Sequence, residues 1–334
     1  MTDALPCGSR LNETGAGRPG ATTLPLGLTI CAGSATSPPG CAGKTPDWDR
    51  EMTASALSHR TCPLCDRDNR DEPRLHLSRD EWNLKRCRDC SCVYLENCVS
   101  LEALTDEYCW STSHVKERVR RAADEPVLAA VRRLWRPVHQ KLLYRDKCLA
   151  LCHRFIAPGP VLDIGCGPGV LLGRLDSIYQ LHGIEIDPIA FERASHRLAD
   201  RKPTLLQCDG LTGLQRCPDA FFTGVVMQGY LEHEVLPRDV LAAARRVLRP
   251  GGHLVIKVPH YDSWNRRFRG PKWCGLRFPE HVNYFSLPVL RRFLAGAGLS
   301  VVRCSWRDRF PLSDSLYLVA QAPLAASCTQ SRAA

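Results

Sequence analysis

The chain has 334 residues, of which 44% are hydrophobic, and it carries a formal net charge of +10 at neutral pH. This length accommodates one full α/β domain and a smaller module, and the apolar content is ordinary for a globular protein. The sequence has no apolar run long enough for a transmembrane helix, and no basic N-terminus followed by an apolar core. We therefore expect a soluble, cytoplasmic protein whose 18 cysteines are reduced and serve as metal ligands or core residues.

Residues 1–58 are rich in Gly, Ala, Thr, Ser and Pro and show little apolar periodicity. Such a composition supplies too little apolar surface for a packed core, so we expect a disordered extension. Met52 is a candidate for the true start, because MTASALSHR leads directly into the first ordered motif. In that case residues 1–51 are not translated. We also expect a flexible tail over residues 323–334.

Two cysteine pairs with the same internal gap follow, in CPLC and CRDC, with 21 residues between them. Each pair can form a tight knuckle, and four thiolates complete the tetrahedral coordination of zinc. The spacing predicts a zinc-ribbon-like module over residues 59–112 that holds a structural zinc. The predicted ligands are Cys62, Cys65, Cys87 and Cys90, whereas Cys92 and Cys98 are expected to be core or spare residues.

A helical pattern follows the module. Apolar residues recur at three- and four-residue steps from Glu125 to Phe155, which predicts connecting helices over residues 113–157. We expect Pro137 to kink or split this helix, because proline removes a backbone donor.

Residues 158–322 alternate strand and helix patterns, which predicts an α/β fold with a seven-stranded, doubly wound, Rossmann-like sheet. Strands are expected near 161–165, 181–186, 203–207, 222–228, 252–258, 299–306 and 315–320. Asp187 is expected to cap a helix that begins at Pro188. Ligands of such sheets bind at the carboxyl ends of the strands.

The stretch VLDIGCGPGV, residues 161–170, indicates a buried strand, a glycine turn and the start of a helix. Its third glycine follows the first by four residues, whereas the dinucleotide pattern requires five, so a pyrophosphate cofactor is disfavoured. Cys166 fits as a small residue of the turn, since no partner base can be assigned to it.

The segment Asp163–Gly169 resembles the first motif of the class I S-adenosylmethionine-dependent methyltransferases. The similarity continues in order through LHGIEID, LLQCDG, VVMQGYLEHE and RRVLRPGGHLVIKVP. The resemblance implies that the glycine turn carries the methionine half of the cofactor, that Glu185 binds the ribose hydroxyls and that Asp209 accepts from the adenine amino group. The implied cofactor-binding residues are Asp163, Gly165, Cys166, Gly167, Gly169, Glu185, Asp209, Gly210 and Gln228.

Methyl transfer from a sulfonium is an in-line displacement, and a hydroxyl or carbon acid needs a base to take its proton. Histidine suits this task near neutral pH. The candidates are His233, His260 and His281, with Tyr284 as a weaker one. For each histidine the alternative is a structural hydrogen bond.

The segment RRFRGPKWCGLRF interleaves basic and aromatic residues, which favours an anionic acceptor; a solvated basic face is the alternative. FPEHVNYFSLPVLRRFLAGAGL resembles the closing segment of bacterial small-molecule and glycan-modifying methyltransferases. Related enzymes, including sugar C-methyltransferases, begin with a zinc ribbon and a tyrosine-containing segment that closes over the acceptor. Tyr94, Tyr108 and Trp110 are the residues available for this, with packing inside the module as the alternative.

We therefore expect O-methylation of a small or carrier-linked acceptor such as a sugar, glycan, lipid or secondary metabolite. The sequence departs from the sugar C-methyltransferases by ending near the seventh predicted strand, so we expect no counterpart of their additional C-terminal domain, which puts C-methylation in doubt. An RNA methyltransferase that uses the zinc module and the basic patch is a further alternative, because one family of ribosomal RNA methyltransferases also begins with a zinc module. MQGYLEH in place of an Asn-Pro-Pro-Tyr-type motif argues against attack on a base nitrogen. A noncatalytic zinc and cofactor-binding scaffold is the least favoured interpretation.

Overall fold

The computed structural model describes residues 57–99 and 146–325, together with positions 119 and 125. All of these belong to one compact unit, Met52–Ala334. The predictions for residues 1–56, Tyr108, Trp110, Pro137, most of the 125–155 helix and the tail from 326 onward lie outside the described residues. Within the described part, no helix combines the length and apolar character needed to cross a bilayer.

Four short strands form the N-terminal part of the described chain: β1 (Leu57–His59), β2 (Leu84–Arg86), β3 (Val93–Leu95) and β4 (Asn97–Val99). Strands β1 and β4 pair in antiparallel fashion, and so do β2 and β3. Strand β1 begins inside the stretch that was expected to be disordered, so the regular structure starts by Leu57.

The second part of the chain alternates helices and strands. Its elements are α1 (Lys147–Phe155), β5 (Gly159–Ile164), β6 (Tyr179–Glu185), α2 (Pro188–Leu198), β7 (Thr204–Gln207), α3 (Gly210–Arg216), β8 (Phe222–Gln228), α4 (Pro237–Val247), β9 (Leu248–Pro259), α5 (Trp264–Arg269), β10 (Asn283–Tyr284), α6 (Leu287–Gly296), β11 (Ser300–Arg303) and β12 (Ser315–Gln321).

Seven of these strands form one sheet in the order β11-β12-β9-β8-β5-β6-β7. Strands β5 to β9 are parallel, whereas β12 runs antiparallel to β9 and to β11. The predicted seven-stranded, doubly wound α/β sheet is therefore confirmed. The chain order reverses between β5 and β8, and a crevice at such a switch point is where open α/β sheets bind ligands.

Successive side chains of the central strands point to opposite faces of the sheet, and both faces are buried. Leu162 and Val225 pack in one cluster with α4 and α6, whereas Val161 and Val226 pack in another cluster with α1 and α2. Helices therefore cover both faces, and only the ends of the strands remain for a ligand.

The N-terminal strands are joined to the large domain by a shared sheet of three strands, β10-β3-β2. Strand β3 pairs with β10, with Tyr94 opposite Asn283, and Leu95 N donates to Val282 O at 2.9 Å. Backbone pairing thus fixes the segment before α6 onto the cysteine-containing module.

Arg60 reinforces this junction from the module side. Its guanidinium donates to the carbonyls of Val282 at 3.1 Å and Val235 at 2.7 Å, and to Asn283 Oδ1 at 2.9 Å. The residue is 8% exposed, so these acceptors have little access to water if the arginine is removed.

We predict that Arg60→Ala lowers the free energy of unfolding by about 2–4 kcal/mol, because Val235 O and Asn283 Oδ1 lose this donor, whereas Val282 O keeps the bond from Leu95 N. Arg70→Ala is the matched control, since this arginine has a side chain that is 65% exposed. Urea denaturation measures both variants. Equal midpoints for Arg60→Ala and the wild type would contradict this role of Arg60.

Candidate active site

The glycine turn lies at the carboxyl end of β5. Gly165, Gly167 and Gly169 have φ angles of +69°, +53° and +69°, in the left-handed region that side chains disfavour. The N–H groups of Gly165 and Cys166 donate to Ile184 O at 2.8 and 3.0 Å, which ties the turn to β6. A β-carbon on Gly167 would meet no atom within 4 Å, so the turn opens onto free space at that residue.

Glu185, at the end of β6, holds the turn in place. Its Oε2 accepts from Gly167 N at 2.7 Å, and its Oε1 accepts from Asp187 N at 2.8 Å. Asp187 caps α2 as predicted, because its carboxylate accepts from Ile189 N and Ala190 N. One carboxylate therefore links the ends of β5 and β6 across the crevice.

Two buried acceptors flank the turn without a donor. Asp163 is 2% exposed, and its Oδ1 accepts no hydrogen bond from the described part of the chain; the same holds for Gln228 Oε1 at the end of β8. Burial, and then the charge of Glu185, raises the pKa of Asp163 to about 8. Because an unsatisfied buried oxygen is costly, these atoms fit a ligand that brings N–H donors and positive charge.

Tyr230 lies across the far side of the crevice. A β-carbon on Gly165 would lie 2.9 Å from Tyr230 Cδ2, and one on Gly210 would lie 2.0 Å from Tyr230 Oη. The hydroxyl of Tyr230 donates to the carboxylate of Glu234. Asp209 caps α3 by accepting from Thr212 N at 2.9 Å. The tyrosine ring thus separates the glycine turn from the start of α3.

Cys166 contributes its backbone N–H to the turn, and its thiol donates weakly to Gly167 O at 3.8 Å. Its side chain is 7% exposed and packs in the apolar cluster between the sheet and α2. Burial raises the pKa of the thiol, so the sulfur is protonated and unsuited to act as a nucleophile. The structure agrees with its interpretation as a small residue of the turn.

The four predicted cysteine ligands converge in the N-terminal module. All four Sγ atoms lie within 4.8 Å of one another, with Cys62 and Cys90 at 3.3 Å and Cys65 and Cys87 at 3.5 Å. Tetrahedral zinc with Zn–S bonds of 2.3 Å separates its sulfurs by about 3.8 Å, so the cluster fits this ion.

The two cysteine pairs also share a backbone conformation. Asp66 and Ser91, each four residues after the first cysteine of its pair, both have φ of 60°. Their N–H groups donate to Cys62 O and Cys87 O, each at 2.9 Å. This repetition is the knuckle geometry that the CxxC spacing predicts.

Three other aromatic and sulfur groups in the described part of the module are packed. Cys92, Cys98 and Tyr94 are buried, and Tyr94 Oη accepts from Asn69 Nδ2 at 2.9 Å. These contacts place Cys92 and Cys98 in the core and favour the packing alternative for Tyr94.

His233 and His281 come together beyond the end of β8. His233 ends a 3₁₀ turn, Leu231–His233, and the ring of His281 lies edge-on at a centroid distance of 4.6 Å. Their Nδ1 atoms contact the carbonyls of Glu280 at 3.0 Å and Gly275 at 2.8 Å. Because a carbonyl only accepts, both rings carry a proton on Nδ1 and a lone pair on Nε2. Burial lowers the pKa of His233 to about 4.

His260 and Tyr284 lie in different surroundings. His260 N donates to Asp314 O, beside the loop that precedes β12. Tyr284 is buried in an apolar cluster with Leu77 and Trp273, and burial raises the pKa of its hydroxyl well above 10. The hydroxyl therefore stays protonated at neutral pH, and a catalytic role for either residue remains a prediction.

A model of a methyltransferase domain family matches residues 134–303, half of the chain. The chain belongs to this methyltransferase family. The match covers β5 to β11, and hence the glycine turn, Glu185, Asp209 and the two facing histidines.

Curated relatives of this methyltransferase differ in what they modify. A malonyl-[acyl-carrier protein] O-methyltransferase of Hahella chejuensis is 27% identical over 166 residues, 48% of this chain and 54% of that protein. A tRNA U34 carboxymethyltransferase of Pseudoalteromonas translucida is 35% identical over 104 residues, 29% of this chain and 31% of that protein. The chain thus spans about a third to a half of the length of the curated relatives it matches.

Among solved structures, an S-adenosylmethionine-dependent methyltransferase of Methanosarcina mazei matches with a TM-score of 0.41 and 22% identity. That match covers 52% of this chain and 98% of the other.

The structure brings most predicted residues to one edge of the sheet: Asp163, Gly165, Gly167 and Gly169, Glu185, Asp209 and Gly210, Gln228 and His233 follow or end strands β5 to β8. Tyr230 and Glu232 were missed from the sequence. Both residues belong to MQGYLEH, which directly follows β8, and this position could have identified them as candidates because β8 lies at the switch point of the sheet.

We predict that Asp163→Asn raises the thermal midpoint of the ligand-free protein, and that the gain grows from pH 5 to pH 8. The carboxyl has a pKa of 3.8 unfolded and about 8 folded, so its folded form retains a proton that the unfolded chain releases. The carboxyl of Asp163 therefore lowers the free energy of unfolding as pH rises between these two pKa values. Asparagine does not ionise and avoids this loss of stability. Thermal denaturation at several pH values measures this, with Asp176→Asn, at an exposed carboxylate, as the control. A gain that is the same at pH 5 and pH 8 would contradict the assignment.

Proposed function

We propose that this methyltransferase uses S-adenosylmethionine as its methyl donor, bound at the glycine turn between β5 and β8. The observation that carries the proposal is the pair of buried acceptors without donors, Asp163 Oδ1 and Gln228 Oε1. When bound, this cofactor supplies an activated methyl group on a positively charged sulfur, together with an ammonium group that can donate to such acceptors.

The chain provides a fitting cradle for the remainder of the cofactor. The free space at Gly167 admits a ligand against the backbone. Each oxygen of Glu185 already accepts one backbone N–H, and a carboxylate oxygen can accept a second hydrogen bond. Glu185 thus remains available to ribose hydroxyls and Asp209 to the adenine amino group, as the sequence resemblance implies.

We further propose that Cys62, Cys65, Cys87 and Cys90 hold one structural zinc. The Sγ separations and the repeated knuckle conformation support this ligand set. Four thiolates leave no open coordination position, so this zinc stabilises a fold and does not activate a substrate. Its role is to keep β3 in place, and through β3 the segment that carries His281.

The proposed acceptor is a small or carrier-linked molecule that is methylated on oxygen. The O-methyltransferase among the relatives supports this acceptor class. Two arginines of the basic stretch have partners within the protein: Arg266 lies over the Tyr261 ring at 4.3 Å, and Arg269 pairs with Glu125. The stretch is therefore less available to a polyanion than its composition suggests. We propose that His233 and His281 lie at the acceptor and act on its proton either directly or through an ion that they hold.

A second candidate is methylation of RNA, which the tRNA-modifying relative favours. In that case the basic stretch and the zinc module bind the nucleic acid. The two candidates share the cofactor site and differ in the acceptor, so they require separate experiments.

The cofactor site is tested with two alanine substitutions. Gly167→Ala and Gly270→Ala add a β-carbon at nearly the same φ, +53° and +51°, and neither β-carbon meets an atom within 4 Å. Both substitutions place a side chain at a positive φ, where a non-glycine residue is strained. We expect Gly167→Ala to weaken S-adenosylmethionine binding at least tenfold in calorimetry, and Gly270→Ala to leave it within twofold. No binding by the wild type would overturn the proposed donor.

The acceptor class is tested by incubating the protein with methyl-labelled S-adenosylmethionine and a cell extract. We expect label in small molecules, lipid or glycan, and release of that label as methyl iodide by hot hydriodic acid, which cleaves O-methyl but not C-methyl groups. We also expect His233→Ala to lower this incorporation while cofactor affinity stays within a few-fold. Label in acid-precipitable, nuclease-sensitive material would establish RNA as the acceptor instead.

A further inference from the structure

We propose that Glu232, His233 and His281 form a second metal site, which binds a divalent transition-metal cation beside the methyl-transfer crevice. Each residue offers one ligand atom, and the three atoms lie within 4.8 Å of one another. The site is separate from the four-cysteine cluster in both position and chemistry, because its donors are two imidazole nitrogens and one carboxylate oxygen.

The spacing requires only a small adjustment to close around an ion. Ligand atoms at the usual 2.0–2.2 Å from a metal are separated by about 3–4 Å, so the most distant pair of donors needs to approach by at most about 1–2 Å. His233 and Glu232 share one 3₁₀ turn, and His281 precedes β10, which is paired to β3. Rigid elements therefore hold the donors from both sides.

The orientation of the two histidines is an independent observation that indicates a metal ligand. His233 Nδ1–H donates to Glu280 O, and His281 Nδ1–H donates to Gly275 O. Metal-bound histidines characteristically donate their second ring N–H to a carbonyl or carboxylate, which fixes the tautomer and the ring plane. In both residues the nitrogen that keeps the lone pair is Nε2.

The carboxylate supplies a third observation. Glu232 is 3% exposed, and its Oε2 accepts no hydrogen bond from residues 57–99 or 146–325. An ionised carboxylate in this position needs a positive partner. Lys257 and Arg277 are the cationic side chains that act on it, and they are the alternative partners if no metal binds.

The donor set indicates the class of ion. Two histidines and one carboxylate suit Fe²⁺, Mn²⁺, Co²⁺ or Zn²⁺, whereas Mg²⁺ and Ca²⁺ prefer oxygen ligands. Three protein ligands leave coordination positions open, in contrast to the closed thiolate site.

The use of this ion rests on the proposed function, whereas its binding does not. A cation at this place can coordinate an acceptor hydroxyl and lower its pKa, so that the proton passes to water. The oxygen then forms a bond to the methyl carbon as the sulfur–methyl bond breaks, and S-adenosylhomocysteine leaves. The two histidines would in this case act on the acceptor proton through the ion that they hold.

The site is tested by titrating Co²⁺ into tag-free protein that carries one zinc per chain after dialysis against a weak chelator. We expect one equivalent of Co²⁺ to bind with weak d–d absorption and without the intense thiolate-to-cobalt charge-transfer band. Absence of binding overturns the proposal. A charge-transfer band also overturns it, because the cobalt has then replaced the zinc at the cysteines.

Two variants locate the binding. Glu232→Gln and His281→Ala should each weaken Co²⁺ binding at least tenfold and keep one zinc per chain. His196→Ala removes an exposed imidazole on α2 and should bind Co²⁺ like the wild type. Co²⁺ binding that is unchanged in both site variants, or lost in His196→Ala, refutes the assignment. S-adenosylmethionine affinity, measured on the same samples, tests the proposed function separately.

Discussion

The pairing of β3 with β10 is the contact on which the arrangement of the site depends. Two backbone strands, far apart in the sequence, place Tyr94 opposite Asn283 and bring the segment after β9 back onto the cysteine module. His281 lies two residues before this ladder, so the position of its ring follows from a strand of the module. A methyltransferase domain that lacked the module would have no partner for β10 and no fixed place for that histidine.

This dependence gives the cysteine cluster a definite physical role. The knuckle that ends at Cys90 leads directly into β3, and Arg292 Nη1 on α6 donates to Cys90 O at 3.2 Å. Arg238 on α4 pairs with Asp66 of the other knuckle. Both knuckles therefore contact helices of the large domain. The arrangement of the four cysteines thus helps to position α4 and α6, which cover one face of the sheet.

Local features could be predicted from the sequence because they are set by neighbouring residues. The glycine turn, the helix cap at Asp187 and the cysteine knuckles all depend on spacings of a few residues, and the seven strands follow from apolar periodicity. The β3–β10 ladder could not be predicted, because a two-residue strand carries no periodic signal and its partner is remote. For the same reason His233 and His281 were recognised one by one, whereas their contact and the participation of Glu232 required the fold.

Tyr230 occupies space that a ligand between Gly165 and Gly210 would need. The ring fills the space between these two glycines, and its hydroxyl donates to the carboxylate of Glu234. A ligand that spans Gly165 and Gly210 would require the ring of Tyr230 to move, and the free energy of that movement would reduce the affinity. Binding between these two glycines would thus be coupled to the hydrogen bond between Tyr230 and Glu234.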